Sequence, residues 1–316
     1  MRDQLYEYLE SQLDYQAQNP KARIGDGTLK AIRLGKNPII TPNMDSRMGV
    51  NVNGPSLIRA PEWLENPLGE YYLYFSHHQG EYIRLAYAET LEGPWETYEP
   101  GTLKLADSFC IHHIASPDVH VEPEKQQIRM YYHGVIPTKE QISRVATSKD
   151  GIHFRCSPEV LGSSYFRVFR YNAYHYALGM PGTFYRSKDG MTGFEQGPTL
   201  FTEDMRHSAV KLDGDTLSVF YSNVRDCPER ILLSTVRVDR DWMDWRESEP
   251  VTILQPETVF EGVDLPLVPS ARGWAPEPVR QLRDPAIFLE GRHTYLLYSV
   301  AGERGVAIAE LSEAAE

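Results

Sequence analysis

Two aspartates in this sequence stand where a carboxyl group could move a proton. Asp284 follows Arg283 and precedes Pro285, and Asp118 sits in the stretch Ser116-Pro117-Asp118-Val119-His120. Each opens a short apolar run entered from a turn. An Asp there can cap the turn; if the strand faces a cavity, it can instead serve as general acid or base. His207, between Arg206 and Ser208, is a third group of this kind, because an imidazolium donates a proton near neutral pH. Asp118, Asp284 and His207 are the candidate catalytic residues. Around them lies a polar set at the ends of similar apolar runs: Asn53, His77, His78, His133, Arg206, Asn223, Arg225, Arg283 and Glu303. These side chains suit a hydroxyl-rich ligand, and arginines such as Arg283 and Arg225 suit an anionic one, which a guanidinium holds through paired hydrogen bonds.

Other reactive residue types carry less chemistry. His112 and His113 precede the second of these runs, but no HxH or HExxH spacing supports a transition-metal site, and no metal is expected. Cys110, Cys156 and Cys227 are scattered, without a CxxC pair, and read as buried thiols of a reducing compartment. Glu92-Gly93-Pro94 reads as a turn. Trp63 and Trp274 read as loop anchors.

The elements that must position these groups are strands. From about residue 37 onward, runs rich in Tyr, Val, Ile and Phe alternate with Gly, Pro, Asp and Asn. Five openings recur: NGPSLIR from Asn53, ASPDVHV from Ala115, SYFRVFR from Ser164, RHSAVKL from Arg206 and RDPAIFL from Arg283. Each is followed by a turn and a Tyr-rich strand, such as YYLYFSHH at 71–78 or TYLLYSVA at 294–301, and most by two further strands. Five units of about four strands predict an all-β, five-bladed β-propeller. A strand near Leu29–Ile32 would close the ring by completing the fifth unit. Leu5, Leu9 and Leu13 recur every four residues and predict a short N-terminal helix. The expected organisation is a helical extension over 1–36 packed on a propeller over 37–316. Because strands in a blade alternate direction, the start of each first strand and the loop after each second strand fall on one face. The polar residues named above should therefore converge at the axis.

Composition limits the partners. The 316-residue chain is 41% hydrophobic, enough for a substantial core, and its formal charge is −12 with no Lys/Arg-rich run, so nucleic acid is not an expected partner. No apolar stretch approaches a membrane span, so no membrane partner is expected. The start, MRDQLYEYLESQLDYQ, lacks the basic and apolar segments of a signal peptide, and a cytoplasmic location is expected.

The segments RDPAIFLEGRHTYLLYS at 283–299, SPDVHVEPEKQQIRMYYHG at 116–134 and LAYAETLEGPWE at 85–96 resemble the five-bladed propeller glycosidases, glycoside hydrolase family 43 and its relatives. The likeness spans about residues 37–312. It implies a carbohydrate partner and hydrolysis by carboxyl groups whose environments push their pKa values apart, standing about 6.5–9.5 Å apart if configuration is inverted. The sequence departs from the family pattern twice. The first-blade base is replaced by Asn53-Gly54-Pro55, and no Glu-Gly-Pro enters the fourth blade, where Glu203, Asp204 and His207 stand instead. A related propeller family uses a His as acid, a role the resemblance offers to His207. Such propellers can hold a structural calcium, but nothing in the sequence indicates one, and no cofactor is expected. A non-catalytic sugar-binding propeller and a glycoside phosphorylase are the alternative readings.

Overall fold

The computed structural model describes residues 23–24 and 27–313. Its sheets form five blades, each a meander of antiparallel strands. Blade 1 comprises Asn53–Arg59, Tyr71–Ser76, Arg84–Ala88 and Glu96–Thr97; blade 2 is built on Ile111–Glu122, Gln127–Val135 and Gln141–Ser148. Blade 3 runs from Arg167 to Thr199, blade 4 from Met205 to Leu254, and blade 5 holds Arg283–Glu290, His293–Ser299 and Val306–Glu313. All five openings read from the sequence lead into the innermost strand of a blade. Helical structure among the described residues is limited to single 3-10 turns. The helix expected near the N-terminus lies outside the described residues.

The ring closes through Gly27–Arg33, which pairs antiparallel with the last strand, Leu29 opposite Glu313 and Arg33 opposite Ala309. The boundary at residue 37 assigned this stretch to the N-terminal extension, while its strand character assigned it to ring closure; it takes the second role.

Alternation along each strand gives two apolar faces, and each face packs on the next blade. The core is accordingly divided into wedges. Leu57, Phe75 and Trp95 meet Phe288 and Ile308 between blades 1 and 5. Tyr74 and Leu85 meet Ile128 and Met130 between blades 1 and 2. Tyr131 and Val145 meet Phe166 and Tyr185 between blades 2 and 3. Phe184 and Leu217 surround Trp245 between blades 3 and 4, and Phe220 and Leu233 meet Leu296 and Tyr298 between blades 4 and 5. Burying each such side chain contributes about 1.5–3 kcal/mol. Glu92-Gly93-Pro94 is a turn, its Gly93 amide donating to the Thr90 carbonyl.

Candidate functional site

The five openings share a backbone feature. Gly54, Ser116, Tyr165, His207 and Asp284 occupy the same place in blades 1 to 5, and all five have positive φ, between 47° and 71°. In four blades a register shift accompanies it, between Asn53 and Ser56, Ala115 and Asp118, Arg206 and Ala209, and Arg283 and Ala286. A bulge of this kind bends the strand and re-aims a side chain. For a non-glycine residue the left-handed region costs about 1–2 kcal/mol, and such strain is concentrated at functional sites. Here it directs one residue per blade at the axis.

What lies there is a cavity of about 320 Å³, lined among others by Asn53, His78, His113, Ser116, His133, Tyr165, Arg206, His207, Arg272 and Asp284. A wider groove of about 1050 Å³ opens between blades 1 and 2 around Phe109, Cys110, Arg155 and Cys156, but only the axial cavity gathers side chains from all five blades.

Asp284 is the one carboxyl side chain among the lining residues. It is 2% exposed. Tyr165 donates its hydroxyl to Asp284 Oδ1 in a short hydrogen bond, and Oδ2 makes no hydrogen bond to the described residues. Burial raises the Asp284 pKa, the neighbouring Glu303 raises it further, and the Tyr165 hydrogen bond opposes both. His207 Nδ1 stands 3.3 Å from Asp284 Oδ1, while its Nε2 faces the Arg206 guanidinium at 3.0 and 3.2 Å. A guanidinium only donates, so Nε2 is an acceptor and the ring proton sits on Nδ1, toward Asp284. Burial, then Arg206 and Arg283, lower the His207 pKa well below its ordinary value. With its pKa lowered, His207 is a neutral ring beside Asp284, whereas the proton-donor role expected of it requires the imidazolium.

The remaining wall is aromatic. The Tyr165 ring lies between His133 and His207, stacked on them at 5.5 and 4.9 Å. His133 meets His113 edge-on at 5.7 Å, and His113 stacks on His78 at 6.5 Å. Burial lowers all three histidines, His78 to about 4, so they present neutral rings that can both donate to and accept from hydroxyls. Arg167 braces this wall from behind. Its guanidinium lies 4.7 Å from the Tyr165 ring centre and donates to the carbonyls of Ser208, Ser116 and Pro117, tying blades 2, 3 and 4 together. Among the described residues no group of three His, Cys, Asp or Glu side chains is arranged to hold a metal ion.

On the blade-1 side the geometry differs. Asn53 donates to Asn51 Oδ1 at 3.2 Å and to Glu303 Oε2 at 3.3 Å, and accepts from Ser76 Oγ at 2.8 Å. Gly54, structurally equivalent to Asp284, has no room for a side chain: a Cβ there would stand 2.9 Å from Ser76 Oγ and 3.0 Å from Ser116 Cα.

Several expected site residues lie elsewhere. Asp118 does not join Asp284. It sits two residues beyond the bulge, on the junction of blades 2 and 3, bound to His120 Nε2 at 2.8 Å and to the Val168 amide at 2.8 Å. Burial pushes its carboxyl up, but His120, Arg167 and the Val168 amide hold it below the ordinary carboxylate range. The true blade-2 counterpart of Asp284 is Ser116. Arg283 and Glu303 are buried behind the cavity, paired at 2.8 Å, with Arg283 also 2.9 Å from Glu229 and Glu303 accepting from Asn51 at 2.6 Å. Arg225 is on the surface and pairs with Asp204. Asn223 offers its backbone carbonyl to Ser270, and His77 holds the Gln79 amide; neither lines the cavity. Asn53, His78, His133, Arg206, His207 and Asp284 do. Tyr165 and Arg272 were missed, Tyr165 because it is one of 19 tyrosines in strand-like sequence, Arg272 because it lies in a long connection. Trp63 anchors a loop through the Lys149 carbonyl.

No protein-family model matches the chain. The uncharacterized protein R118 of Acanthamoeba polyphaga mimivirus is 35% identical, over 90% of this chain and 91% of that one. The chain belongs to the R118 family. Among solved structures its fold is that of the glycoside hydrolase family 43 propellers. A GH43_1 enzyme from Xanthomonas citri is 14% identical over 88% of this chain and 91% of its own, with a TM-score of 0.57; its complexes with xylose and xylotriose have been solved. A protein of Parabacteroides distasonis, provisionally described as a glycoside hydrolase, is 14% identical over 89% of this chain and 95% of its own, with a TM-score of 0.65. At such identities the likeness is one of fold. It makes the R118-family chain a glycosidase-like propeller, and the chemistry must come from its own residues.

Proposed function

We propose that the axial cavity binds a glycosyl unit and that Asp284 is the general acid in cleaving its glycosidic bond. The observation that carries this reading is the setting of Asp284: a buried carboxyl with a raised pKa, hydrogen-bonded by Tyr165 and 3.3 Å from His207 Nδ1, at the meeting point of five blades. A protonated carboxyl in that position can deliver a proton to a departing sugar oxygen. The xylose and xylotriose complexes of the Xanthomonas citri enzyme support a carbohydrate as occupant, and the hydroxyl-binding wall of His78, His113, His133 and Asn53 is suited to one.

The second carboxyl of an inverting hydrolase has no counterpart lining this cavity. Gly54 occupies the equivalent blade-1 position, and Glu303 is engaged by Arg283 and Asn51. The attacking oxygen then belongs to water, held by the neutral histidines, or to inorganic phosphate. The same vacancy at Gly54 favours a second reading, binding without turnover. Assays of released sugar over a broad aryl-glycoside panel, with and without phosphate, separate them. Under the proposal Asp284→Asn loses at least about 10²–10⁴-fold in kcat/KM, the usual worth of a general acid, while sugar affinity measured calorimetrically changes little. Sugar binding with no turnover by the wild-type protein on any substrate would establish the second reading.

A further inference from the structure

The connection between blades 4 and 5, residues 255–282, crosses the rim of the axial cavity. Its tip is held by the two arginines that precede the axial His and Asp. Arg206 donates to the carbonyls of Ala271 and Gly273 at 2.9 and 3.0 Å, and Arg283 donates to the Gly273 carbonyl at 3.1 Å. Ser270 is fixed from the other side, its amide bonded to the Asp226 carbonyl and its carbonyl to the Arg225 amide, each at 3.0 Å. The loop is thus fastened to the residues that shape the catalytic wall, and it delivers Arg272 to the cavity lining.

Arg272 differs from the other arginines near the axis. Arg206, Arg167 and Arg283 spend their donors on carbonyls, His207 and buried glutamates. Arg272 donates one amino group to the Glu203 carbonyl at 2.8 Å, and no carboxylate of the described residues forms an ion pair with it. Its residue is exposed at the mouth, so its remaining donors can meet an incoming ligand. The one carboxyl of the lining, Asp284, is buried and already bonded to Tyr165. The cavity mouth therefore carries a guanidinium with no ion-pair partner among the described residues, above a wall of hydroxyl-binding rings.

We infer that Arg272 is a specificity-determining residue that selects a sugar bearing an anionic group, a carboxylate, sulfate or phosphate. This rests on the cavity being a sugar site. The neutral wall grips the hydroxyls and the guanidinium takes the anion in a charge-assisted, two-point contact. The arginines expected from sequence to do this, Arg283 and Arg225, are engaged elsewhere, and the loop supplies the function instead.

The test is isothermal titration of the full chain with glucuronate and galacturonate against glucose, galactose and xylose, with glucose 6-phosphate and glucose 6-sulfate to tell which anion is preferred. The wild-type protein should bind at least one anionic sugar about tenfold to hundredfold more tightly than its neutral parent, as one charged hydrogen-bonded contact provides. Arg272→Gln should erase that difference, chiefly by weakening the anionic sugars, and Arg272→Lys should restore part of it. Added salt should weaken only the anionic sugars. Neutral and anionic sugars bound equally well, or an anionic preference untouched by Arg272→Gln, would overturn this inference alone. Failure of every sugar to bind would overturn the sugar-site reading with it. Thermal melting of both variants, expected to match wild type, checks that the loop stays seated.

Discussion

The two sides of the axial cavity are built from the same backbone device and finished differently. On the side of blades 4 and 5 the bulge residues are His207 and Asp284, backed by a buried lattice of Arg206, Arg283, Glu229 and Glu303. On the side of blades 1 and 2 the equivalent residues are Gly54 and Ser116, and the space behind Gly54 is taken by Ser76 and Ser116 itself. Tyr165 of blade 3 stands between them and reaches across to Asp284. One side thus presents ionisable groups on a buried charged lattice, and the other presents small residues packed closely against each other. The difference teaches that a symmetric fold can localise chemistry without losing its symmetry. The bulge fixes five addresses, and residue type decides which carry ionisable groups.

This contrast can be broken most severely through Glu303. Glu303→Gln leaves Arg283 with one carboxylate fewer in a fully buried setting, and should lower stability by about 3–5 kcal/mol, read as a loss in urea or thermal midpoint. In the protein that remains folded, removal of a neighbouring negative charge lowers the Asp284 pKa, so the alkaline limb of the pH–rate profile should move to lower pH. Tyr165→Phe acts in the opposite direction. The hydroxyl stabilises the ionised carboxylate, so its loss should raise the Asp284 pKa further and move the same limb to higher pH by about one to two units, the equivalent of a charged hydrogen bond of about 1.5–3 kcal/mol. A limb that stays in place in both variants would remove Asp284 from the titrating role. The smallest effect is expected at Asp118. Asp118→Asn should leave kcat/KM within about twofold and cost about 1 kcal/mol of stability. Because the native pKa of Asp118 is depressed, that cost should be fully present above the ordinary carboxylate range and be lost as pH falls below that range through the lower native value. A large loss of turnover in Asp118→Asn would restore it to the site.

The blades were legible because a strand meander writes itself as Tyr- and Val-rich runs between turn residues, and all five openings coincide with inner strands. The closing strand near Leu29–Ile32 was legible for the same reason. The address within each opening was not. Ser116-Pro117-Asp118 and Arg283-Asp284-Pro285 look alike as strings, yet the left-handed residue is Ser116 in one and Asp284 in the other. Aligned on the residue before proline, Ser116 matches Asp284 and Asp118 falls on the blade junction. Charge was a second source of error. The letter Arg does not say whether a guanidinium faces a ligand or, like Arg283, two buried glutamates. Tyr165 and Arg272 carried no local signal, because their roles arise from a contact across the axis and from a loop fastened by residues distant in sequence.

Ring closure has a consequence for how the molecule is made. Gly27–Arg33 pairs locally with Arg23–Ile24, but it joins the ring through Val306–Glu313. During synthesis nearly all of the chain must emerge before that pairing can form, and until then the blade-5 edge and the faces of blades 1 and 5 stay unsatisfied. Contacts so distant in sequence slow folding, and an open strand edge is prone to pair with another chain. The interval between the emergence of the two strands therefore adds a hazard that final stability does not measure, and a helper that shields blade 1 during it should raise the yield of folded protein.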